Sequence, residues 1–437
     1  MKNLFAMMAL VICASVIRIA FYRAGPGYWA TADTLSYYGT AQKIVRTRTL
    51  VDPWRTPVYP AFLALPFILE SKPLPDTYYG GFMYEFLVIR IAQSVVGIVT
   101  VALFYLLLLE MGFVKKLAWL LGLFVACNWS LLLFEYLLIT ETLYLLWLVG
   151  TMLIAVSALR RWHIGKGITL GALFVIGVFL RPSTIVLPFL FIFFLAWFHR
   201  KRTVAVWAIV TILLYAGMLI TYSGVNAYYS AYSGISRIGD VNLLGKIFQY
   251  QLSIQNAKDG EIKDIVARYT GEKQTDPWQV YSENWHLYNA QYVQPMHQFV
   301  FDVLRGNASS YLLQSMQEIP SAVVAPSDIE SDLLAERYTH NFLGFLKYMN
   351  DFLRKGYILI FAALPVYIYR AWTKKSLYWV SLALFLLVGL YYIGVGVYLT
   401  YGDYGRHVLP ATPFLFVVSY VWCYRVMRGI FVWVKRL

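Results

Sequence analysis

Residues 377–399 read LYWVSLALFLLVGLYYIGVGVYL and contain no charged side chain. A helix needs about 20 mostly apolar residues to cross the hydrocarbon core of a bilayer, so this stretch predicts a transmembrane helix. The rest of the chain has the same character, because 59% of its 437 residues are hydrophobic and only 14% are charged. Soluble domains contain about 45–50% apolar and about 25% charged residues. The composition therefore excludes a soluble enzyme and a disordered chain.

Ten segments of the chain are long and apolar enough, or nearly so, to cross a membrane. They lie near residues 4–22, 84–109, 117–135, 139–159, 167–180, 184–198, 203–222, 356–370, 377–399 and 408–424. We interpret the first as a retained anchor rather than a cleaved signal, since Arg18 interrupts its end. The sequence thus predicts an all-α polytopic membrane protein, with about ten transmembrane helices in a single domain over residues 1–437.

Lysine and arginine indicate the orientation of these spans, because they collect in short loops on the cytoplasmic side. With the N-terminus inside, the inside segments hold 16 basic residues, Lys435 and Arg436 among them, and one acid, Glu110. The short outside turns keep only Arg181 and Arg406. We therefore predict that both termini are cytoplasmic. The net charge of +14 is mostly this topology signal and requires no nucleic-acid partner.

The first of two long outside segments covers residues 23–83 and holds the most informative pattern in the chain. After Thr31, a residue suited to start a helix, Asp33 and Tyr37 begin a series at helical spacing. This series predicts a helix lying in the membrane surface. Proline is preorganised for the first helical position, so a second juxtamembrane helix is predicted to begin at Pro57.

The second outside segment is larger and covers residues 223–355. Its pattern YLLQSMQEI at 311–319 favours short amphipathic helices over strands. We therefore expect one membrane domain that carries a mainly helical extracytoplasmic loop region.

Charged side chains at the outer ends of spans are costly in apolar surroundings and are often functional. The predicted topology puts two acids and three arginines on one membrane face: Asp33, Arg55, Glu141, Arg181 and Arg406. Each has a plain structural explanation, since acids favour the first turn of a helix and arginines reach for the interface. Arg55, however, precedes the helix predicted at Pro57, and a guanidinium beside free helical N–H groups suits a phosphate or carboxylate. Together the five charges predict a functional site.

Several common active-site motifs are absent from the sequence. It has no phosphate-binding loop for a nucleotide, no dinucleotide fingerprint and no HExxH. His407 has no histidine partner at metal-ligand spacing. The three cysteines, Cys13, Cys127 and Cys423, are scattered in apolar runs and predict neither disulfides nor a zinc cluster. Because a site outside the membrane has no ready supply of ATP or nucleotide sugars, a lipid-borne substrate would suit it.

Five motifs follow one another along the chain: ADTLSYY (32–38), RTPVYPAF (55–62), ITETLYLLW (139–147), FLRPS (179–183) and GRHVLPATPF (405–414). In this order they resemble the C-type (GT-C) glycosyltransferases that use polyprenyl-phosphate sugars. The pattern is similar to bacterial protein mannosyltransferase-like and aminoarabinose-transferase-like enzymes, over essentially the whole chain. The resemblance implies a GT-C-like enzyme in the cytoplasmic (inner) membrane, with its active site facing the periplasm or outside. It implies sugar transfer from an undecaprenyl- or decaprenyl-phosphate carrier.

The resemblance also implies roles for individual residues. Asp33 resembles the first-loop catalytic aspartate, and Glu141 resembles the second acidic position, a further catalytic candidate that could orient the acceptor. Arg55 and Arg406 would hold the donor phosphate, with Arg181 assisting. Three further residues are candidates for lining the substrate: Tyr37, Tyr59 and His407. No particular cofactor and no metal ligand are implied, although Glu141 could hold a divalent cation.

The chain departs from the family pattern at two positions. Thr34 follows Asp33, where protein O-mannosyltransferases have a glutamate, and this counts against transfer to protein Ser or Thr. The YGDYG at 401–405 is similar to the WWDYG of oligosaccharyltransferases. We expect that similarity to be accidental, because the large soluble C-terminal domain of those enzymes is missing here.

These residues fit a single displacement that inverts the anomeric carbon, with Asp33 as general base. The predicted partners are a polyprenyl-phosphate-linked sugar, membrane lipids and a cell-envelope acceptor, which could be a lipid, a polysaccharide or a protein. Three alternatives stay open at this point. The chain could be a multi-span transporter or flippase of lipid-linked sugars, a ligase that uses a pyrophosphate-linked glycan, or a noncatalytic assembly factor.

Overall fold

The computed structural model describes residues 2–24, 31–70, 72, 84–258, 260–271, 275–328, 330 and 341–434. Within these ranges the regular elements are helices, which we number α1 to α21. They are Lys2–Ala24, Ala32–Thr47, Val58–Leu69, Tyr84–Glu110, Lys115–Ala126, Trp129–Tyr136, Glu141–Arg160, Ile164–Leu180, Leu187–His199, Arg202–Ser230, Ile238–Gln249, Glu261–Ala267, Pro277–Glu283, Ala290–Gly306, Ala308–Gln317, Ile319–Val324, Asn341–Lys355, Ile360–Lys374, Leu377–Leu399, Tyr404–Val408 and Thr412–Val434. Short 3₁₀ turns lie at Pro182–Thr184, Trp285–Tyr288, Gly356–Leu359 and Leu409–Ala411. The all-α prediction is confirmed for these residues, whereas Lys435 and Arg436 lie outside them.

Eight helical segments in the described ranges are long and apolar enough to cross a membrane, and the chain is a multi-pass membrane protein. They are Leu4–Arg23, Phe86–Glu110, Glu141–Arg160, Pro182–His199, Arg202–Ser230, Gly344–Lys374, Leu377–Leu399 and Tyr404–Arg428. The other two predicted spans are helical too, but α8 has 17 residues, a length of about 26 Å. The helices α5 and α6 are bent by 49° where they meet. The count of ten therefore stays a prediction.

The bend between α5 and α6 has a local cause. Asn128 begins α6 as its N-cap, because its side-chain oxygen accepts a hydrogen bond from the Leu131 N–H at 3.0 Å. Its side-chain amide donates to Asn350 Oδ1 at 2.8 Å and so joins α6 to α17. A polar cap in the middle of an apolar run thus starts a new helix within a segment that hydropathy describes as continuous.

Two large apolar cores are present in the described residues, besides a small cluster around Trp129 and Leu133 where α1, α6 and α17 meet. The larger one lies between the spans, where Phe104, Leu148 and Phe414 are completely buried. The smaller one lies within the second loop region and is built by α11 to α14, with Leu244 and Val300 at its centre. The second loop region is therefore folded around a core of its own, as its amphipathic patterns indicate.

In the described part of the first loop, both predicted helices are present. Thr31 caps α2, since its hydroxyl accepts from the Thr34 N–H at 3.1 Å and the Thr34 hydroxyl accepts from the Thr31 N–H at 3.2 Å. Tyr37 and Ala41 are buried on one face, while Lys43 is exposed on the other. The second helix, α3, begins one residue later than predicted, because Pro57 is its cap.

Candidate active site

Asp33 lies in the first turn of α2 and accepts hydrogen bonds from two arginines of distant segments. Arg55 Nη2 donates to its Oδ1, and Arg406 Nη1 donates to its Oδ2. Both contacts are also ion pairs. The Asp33 side chain is 28% exposed, whereas those of Arg55 and Arg406 are 9% and 12% exposed. One carboxylate thus holds two largely buried guanidinium groups and keeps a surface open to a ligand.

Arg55 is fixed from several directions. Asp52 Oδ1 accepts from the Arg55 backbone N–H at 3.0 Å, and Ser36 Oγ accepts from Arg55 Nε at 2.8 Å. The guanidinium carbon lies 4.3 Å from the centre of the Tyr37 ring. With the guanidinium held in this way, its Nη2 group points at Asp33. The side chain of Arg55 is therefore preorganised by contacts within the first loop.

Glu141 is the first residue of α7 and lies deeper than Asp33. It accepts from Arg181 Nη2 and from Arg406 Nε, and its side chain is only 2% exposed. Arg181 caps the end of α8, and its Nε donates to Thr140 Oγ1 at 3.0 Å. The Arg181 guanidinium carbon also lies 5.1 Å from the centre of the Tyr144 ring. Glu141 is thus a buried anchor for two arginines.

Arg406 joins the two acids, because Nη1 binds Asp33 while Nε binds Glu141. Its helix, α20, is capped by Asp403, whose Oδ1 accepts from the Arg406 N–H at 3.3 Å and from the Asp328 N–H at 3.0 Å. The result is one continuous chain of contacts. We call it the arginine–carboxylate cluster, and its members are Arg55, Asp33, Arg406, Glu141 and Arg181.

The electrostatics of Asp33 follow from this arrangement. Burial alone would raise the pKa of the Asp33 carboxyl, but Arg55 and then Arg406 outweigh burial and hold that pKa well below its usual range. Burial would likewise lower the pKa of Arg55, and the charge of Asp33 raises it instead. Asp33 is therefore an ionised, weakly basic carboxylate in this state.

The three candidate substrate-lining residues lie at different depths. Tyr37 is buried beneath the Arg55 guanidinium. Tyr59 has no exposed surface, packs edge-on against Tyr37 and donates its hydroxyl to Gln93 Oε1 at 2.8 Å. It lies behind Tyr37 and supports it rather than lining the surface of the cluster. His407 is half-buried next to Arg406.

Four neighbours of the cluster were not singled out from the sequence. They are Ser36, Asp52, Thr140 and Tyr144. Two of these carried a usable signal, because Ser36 stands one helical turn after Asp33 and Thr140 directly precedes Glu141 in the third motif. Asp52 and Tyr144 could be recognised only from the tertiary structure. Asp52 accepts a hydrogen bond from the Arg55 backbone N–H, and the Tyr144 ring lies against the Arg181 guanidinium.

The residues of the cluster do not suit a divalent cation. A metal site requires several free anionic or neutral ligands, whereas both carboxylates here are bound to guanidinium groups. In the part of the chain that the structure describes, no group of three or more His, Cys, Asp or Glu residues could hold a metal ion. A divalent cation at Glu141 stays a prediction, and binding it would require this carboxylate to give up its contacts with Arg181 and Arg406.

No family model matches the chain, and no curated protein matches it. Solved structures of the oligosaccharyltransferase AglB from the archaeon Archaeoglobus fulgidus are similar to it in overall path. The apo form, the complex with zinc and sulfate, and the complex with an inhibitory peptide and a dolichol-phosphate are 12%, 13% and 14% identical, each with a TM-score of 0.49. They cover 98%, 99% and 98% of this chain but 52%, 51% and 52% of those chains. The chain thus spans about half the length of these structures, and its function is inferred below from its own side chains.

Proposed function

We propose that the chain is an integral membrane glycosyltransferase that moves a sugar from a polyprenyl-phosphate carrier to an acceptor hydroxyl outside the cytoplasmic membrane. The observation that carries this proposal is the arginine–carboxylate cluster. It gathers three guanidinium groups and two carboxylates from five separate segments at one end of a membrane bundle. A headgroup at the surface of a bilayer lies at the same depth as such helix ends.

The charge of the cluster suits a phosphate monoanion. Three arginines and two acids leave one net positive charge, and a sugar linked to a polyprenyl phosphate carries one negative charge on its phosphodiester. A pyrophosphate-linked glycan would bring at least two negative charges. The balance therefore favours the monophosphate donor over the pyrophosphate donor of a ligase, and the forked guanidinium groups match phosphate oxygens in pairs.

Donor binding would rearrange the cluster. A phosphate that reaches Arg55 and Arg406 competes with Asp33 for their N–H groups, since both arginines already donate to that carboxylate. Loss of these contacts removes the influence that lowers the pKa of Asp33. The carboxylate then becomes a stronger base and turns towards the acceptor. Donor binding would thus activate the general base, and the acceptor would not be deprotonated before the donor is in place.

The reaction that follows is a single displacement. The acceptor oxygen forms a bond to the anomeric carbon while the bond from that carbon to the phosphate oxygen breaks. The hydroxyl proton passes to Asp33, and the leaving phosphate keeps the electron pair and gains charge that Arg55 and Arg406 stabilise. Glu141 is too deeply buried to reach a sugar, so its role is to position Arg181 and Arg406. With Asp33 as the only exposed carboxylate of the cluster, inversion is expected.

The test uses the full-length protein in lipid nanodiscs with radiolabelled undecaprenyl-phosphate sugars and undecaprenyl-pyrophosphate sugars, each tried singly with a cell-envelope acceptor extract. We expect one donor to transfer label, with inverted configuration at the anomeric carbon by NMR. Transfer from pyrophosphate donors alone would identify a ligase. Movement of labelled lipid between leaflets of proteoliposomes, without transfer, would identify a flippase.

A further inference from the structure

A group of aromatic side chains lies beside the arginine–carboxylate cluster. Trp54 is the residue before Arg55, and its ring lies 5.9 Å from the ring of Trp278 and 5.5 Å from that of Tyr288, centre to centre. Trp285 begins the 3₁₀ turn that Tyr288 ends. Side chains three residues apart eclipse one another in such a turn, so Trp285 continues the same surface. We call Trp54, Trp278, Trp285 and Tyr288 the aromatic shelf.

The outer members of the aromatic shelf are open to solvent. Trp278 is 38% exposed, Tyr288 is 43% exposed and Trp285 is 72% exposed. They stand on the small core of the second loop region, where Tyr281 is buried beneath them and contacts Trp54, Trp278 and Tyr288. Several exposed rings that stand together on a folded core form an apolar patch of the kind that marks a binding site.

The aromatic shelf is fixed relative to the catalytic charges. The Arg237 guanidinium carbon lies 4.3 Å from the centre of the Trp54 ring, and the Arg237 N–H donates to Pro53 O at 2.7 Å. Ser236 Oγ donates to Trp54 O at 2.6 Å. The second loop region thereby clamps the backbone that carries Arg55. Consecutive Cα atoms are about 3.8 Å apart, so the shelf begins one residue from a guanidinium that binds Asp33.

We propose that the aromatic shelf binds the acceptor and that this acceptor is a carbohydrate. This inference rests on the proposed function and names the substrate class that it leaves open. The C–H bonds on one face of a pyranose ring pack against an aromatic face, and rings such as Trp offer large contact areas at low entropic cost. The amide of Gln279 and the carboxylate of Glu283 are exposed on the same helix and suit sugar hydroxyls.

Charge and backbone geometry favour a neutral glycan over the other acceptor classes. Helix α13, which carries Trp278, has Asp276 as its cap and Glu283 at its end, with no basic residue between them. These acids disfavour an anionic lipid headgroup, and the guanidinium that contacts the shelf, that of Arg237, is buried against Trp54 and not open to a headgroup. A peptide is commonly recognised by addition to the edge of a sheet, and the described residues contain no strand. A stack of sugar rings requires neither a cationic surface nor a strand edge.

The experiment measures binding without catalysis. The full-length protein in nanodiscs is titrated with neutral hexasaccharides of glucose, mannose or N-acetylglucosamine, and with a serine-rich peptide of similar length. Saturation transfer from aromatic protons to the ligand is recorded by NMR. We expect saturable binding of at least one hexasaccharide. Trp278→Ala or Trp285→Ala should weaken it about 5- to 10-fold, and Trp278→Phe should largely restore it.

The matched control is Trp372→Ala, which removes a tryptophan that is 61% exposed on α18, outside the loop regions. It should leave binding unchanged. Absence of saturable binding by every hexasaccharide, or equal binding by wild type and both shelf variants, overturns the proposal. Saturable binding of the peptide alone overturns it in favour of a protein acceptor.

The proposed function and the proposed glycan site are tested by different results. If wild-type protein transfers no sugar from any lipid phosphate while hexasaccharides still bind the shelf, the transferase proposal is wrong and the shelf remains a glycan site. If transfer occurs and depends on Asp33, but no hexasaccharide binds, the shelf proposal alone is wrong.

Discussion

Two buried arginine–carboxylate sites in this protein differ in how completely their charges are paired. Inside the bundle, Arg18 of α1 binds Glu135 of α6 with two donors, Nε to Oε2 at 2.8 Å and Nη2 to Oε1 at 2.5 Å. A third donor, Nη1, reaches Ala14 O at 3.1 Å. Both side chains are less than a tenth exposed. The pair is neutral and largely buried, and we call it the closed pair because each charge is matched by the other.

The arginine–carboxylate cluster is built from the same chemical groups but is not closed. Arg406 is shared between two acids, one positive charge is left over, and Asp33 keeps 28% of its side chain exposed. In a closed pair each charge is already neutralised by the other, so no net charge is left to attract a ligand. A surplus cation with an exposed neighbour offers both attraction and access. The difference teaches that stoichiometry and exposure, rather than the presence of buried charge, distinguish a site from a structural contact.

The largest effect on sugar transfer is expected from a substitution at Asp33. Asp33→Asn keeps the shape of the side chain but removes its charge and its basicity. We expect turnover to fall by about 10²–10⁴-fold, while donor affinity holds or increases because a competitor for Arg55 and Arg406 has gone. The measurement is kcat with saturating donor, together with donor binding at equilibrium.

The control for that variant is Glu110→Gln, which removes a remote acid that pairs with Arg160 at 3.0 Å. It should leave transfer near the wild-type rate. A well-folded Asp33→Asn protein with near-normal kcat would show that Asp33 is not the base.

Arg406 offers the next largest effect, because it is the one member that contacts both acids. Arg406→Ala removes a guanidinium from the leaving phosphate and leaves two carboxylates facing each other. We expect kcat to fall by about 10²–10³-fold and donor binding to weaken. Arg181→Ala should have a smaller effect, since Arg181 contacts only the buried acid. Equal donor binding by wild type and Arg406→Ala would contradict the phosphate assignment.

The closed pair gives a prediction about stability alone. Glu135→Leu leaves Arg18 charged and unpaired, and should destabilise the fold by about 3–5 kcal/mol. The double variant Arg18→Met with Glu135→Leu should recover most of that loss and keep the wild-type transfer rate. Unfolding in mixed micelles and transfer assays on the same samples test both points. A stable double variant that has lost transfer would assign the pair a part in the reaction.

The smallest expected effect concerns two acids whose pKa values shift in opposite directions. Burial raises the pKa of Asp403 to about 7, against about 3.9 when unfolded. The folded state then binds this proton more tightly, so the Asp403 contribution to stability falls as pH rises from about 4 to about 7. Asp33, with its lowered pKa, contributes stability at neutral pH that is lost only as the pH falls below its unfolded value.

Asp403→Asn isolates that contribution, because asparagine also caps a helix. The difference in Tm between pH 5 and pH 8 should shift by a few degrees relative to wild type, with the variant relatively more stable at pH 8. An identical pH dependence of Tm in both proteins would show that Asp403 is ionised without penalty in the fold.

Much of the fold was predictable because a bilayer restricts what a chain can do. Each of the ten predicted apolar segments is helical, and the starts of α2 and α3 were predicted to within a residue from Thr31 and Pro57. The break at Asn128 was not predicted, because one polar residue changes the average hydropathy of a long apolar segment very little. The break depends on the hydrogen bonds that Asn128 makes with α6 and α17. The pattern at 311–319, which favours short amphipathic helices, falls on α15 and α16; these helices meet at Glu318, whose carboxylate accepts from Lys246 at 2.9 Å.

The charges of the candidate site could be predicted as a set, although their catalytic role stays a prediction. From the sequence alone, Glu141, Arg181 and Arg406 were expected at the ends of apolar spans and Asp33 and Arg55 in the first loop, because a charged side chain costs less at the end of a span than within it. Only the tertiary structure decided that Arg406 lies between the two acids, that Glu141 is buried while Asp33 is exposed, and that Tyr59 lies behind Tyr37. Such pairings join residues up to 373 positions apart, and they depend on how the helices pack, which local sequence patterns do not encode.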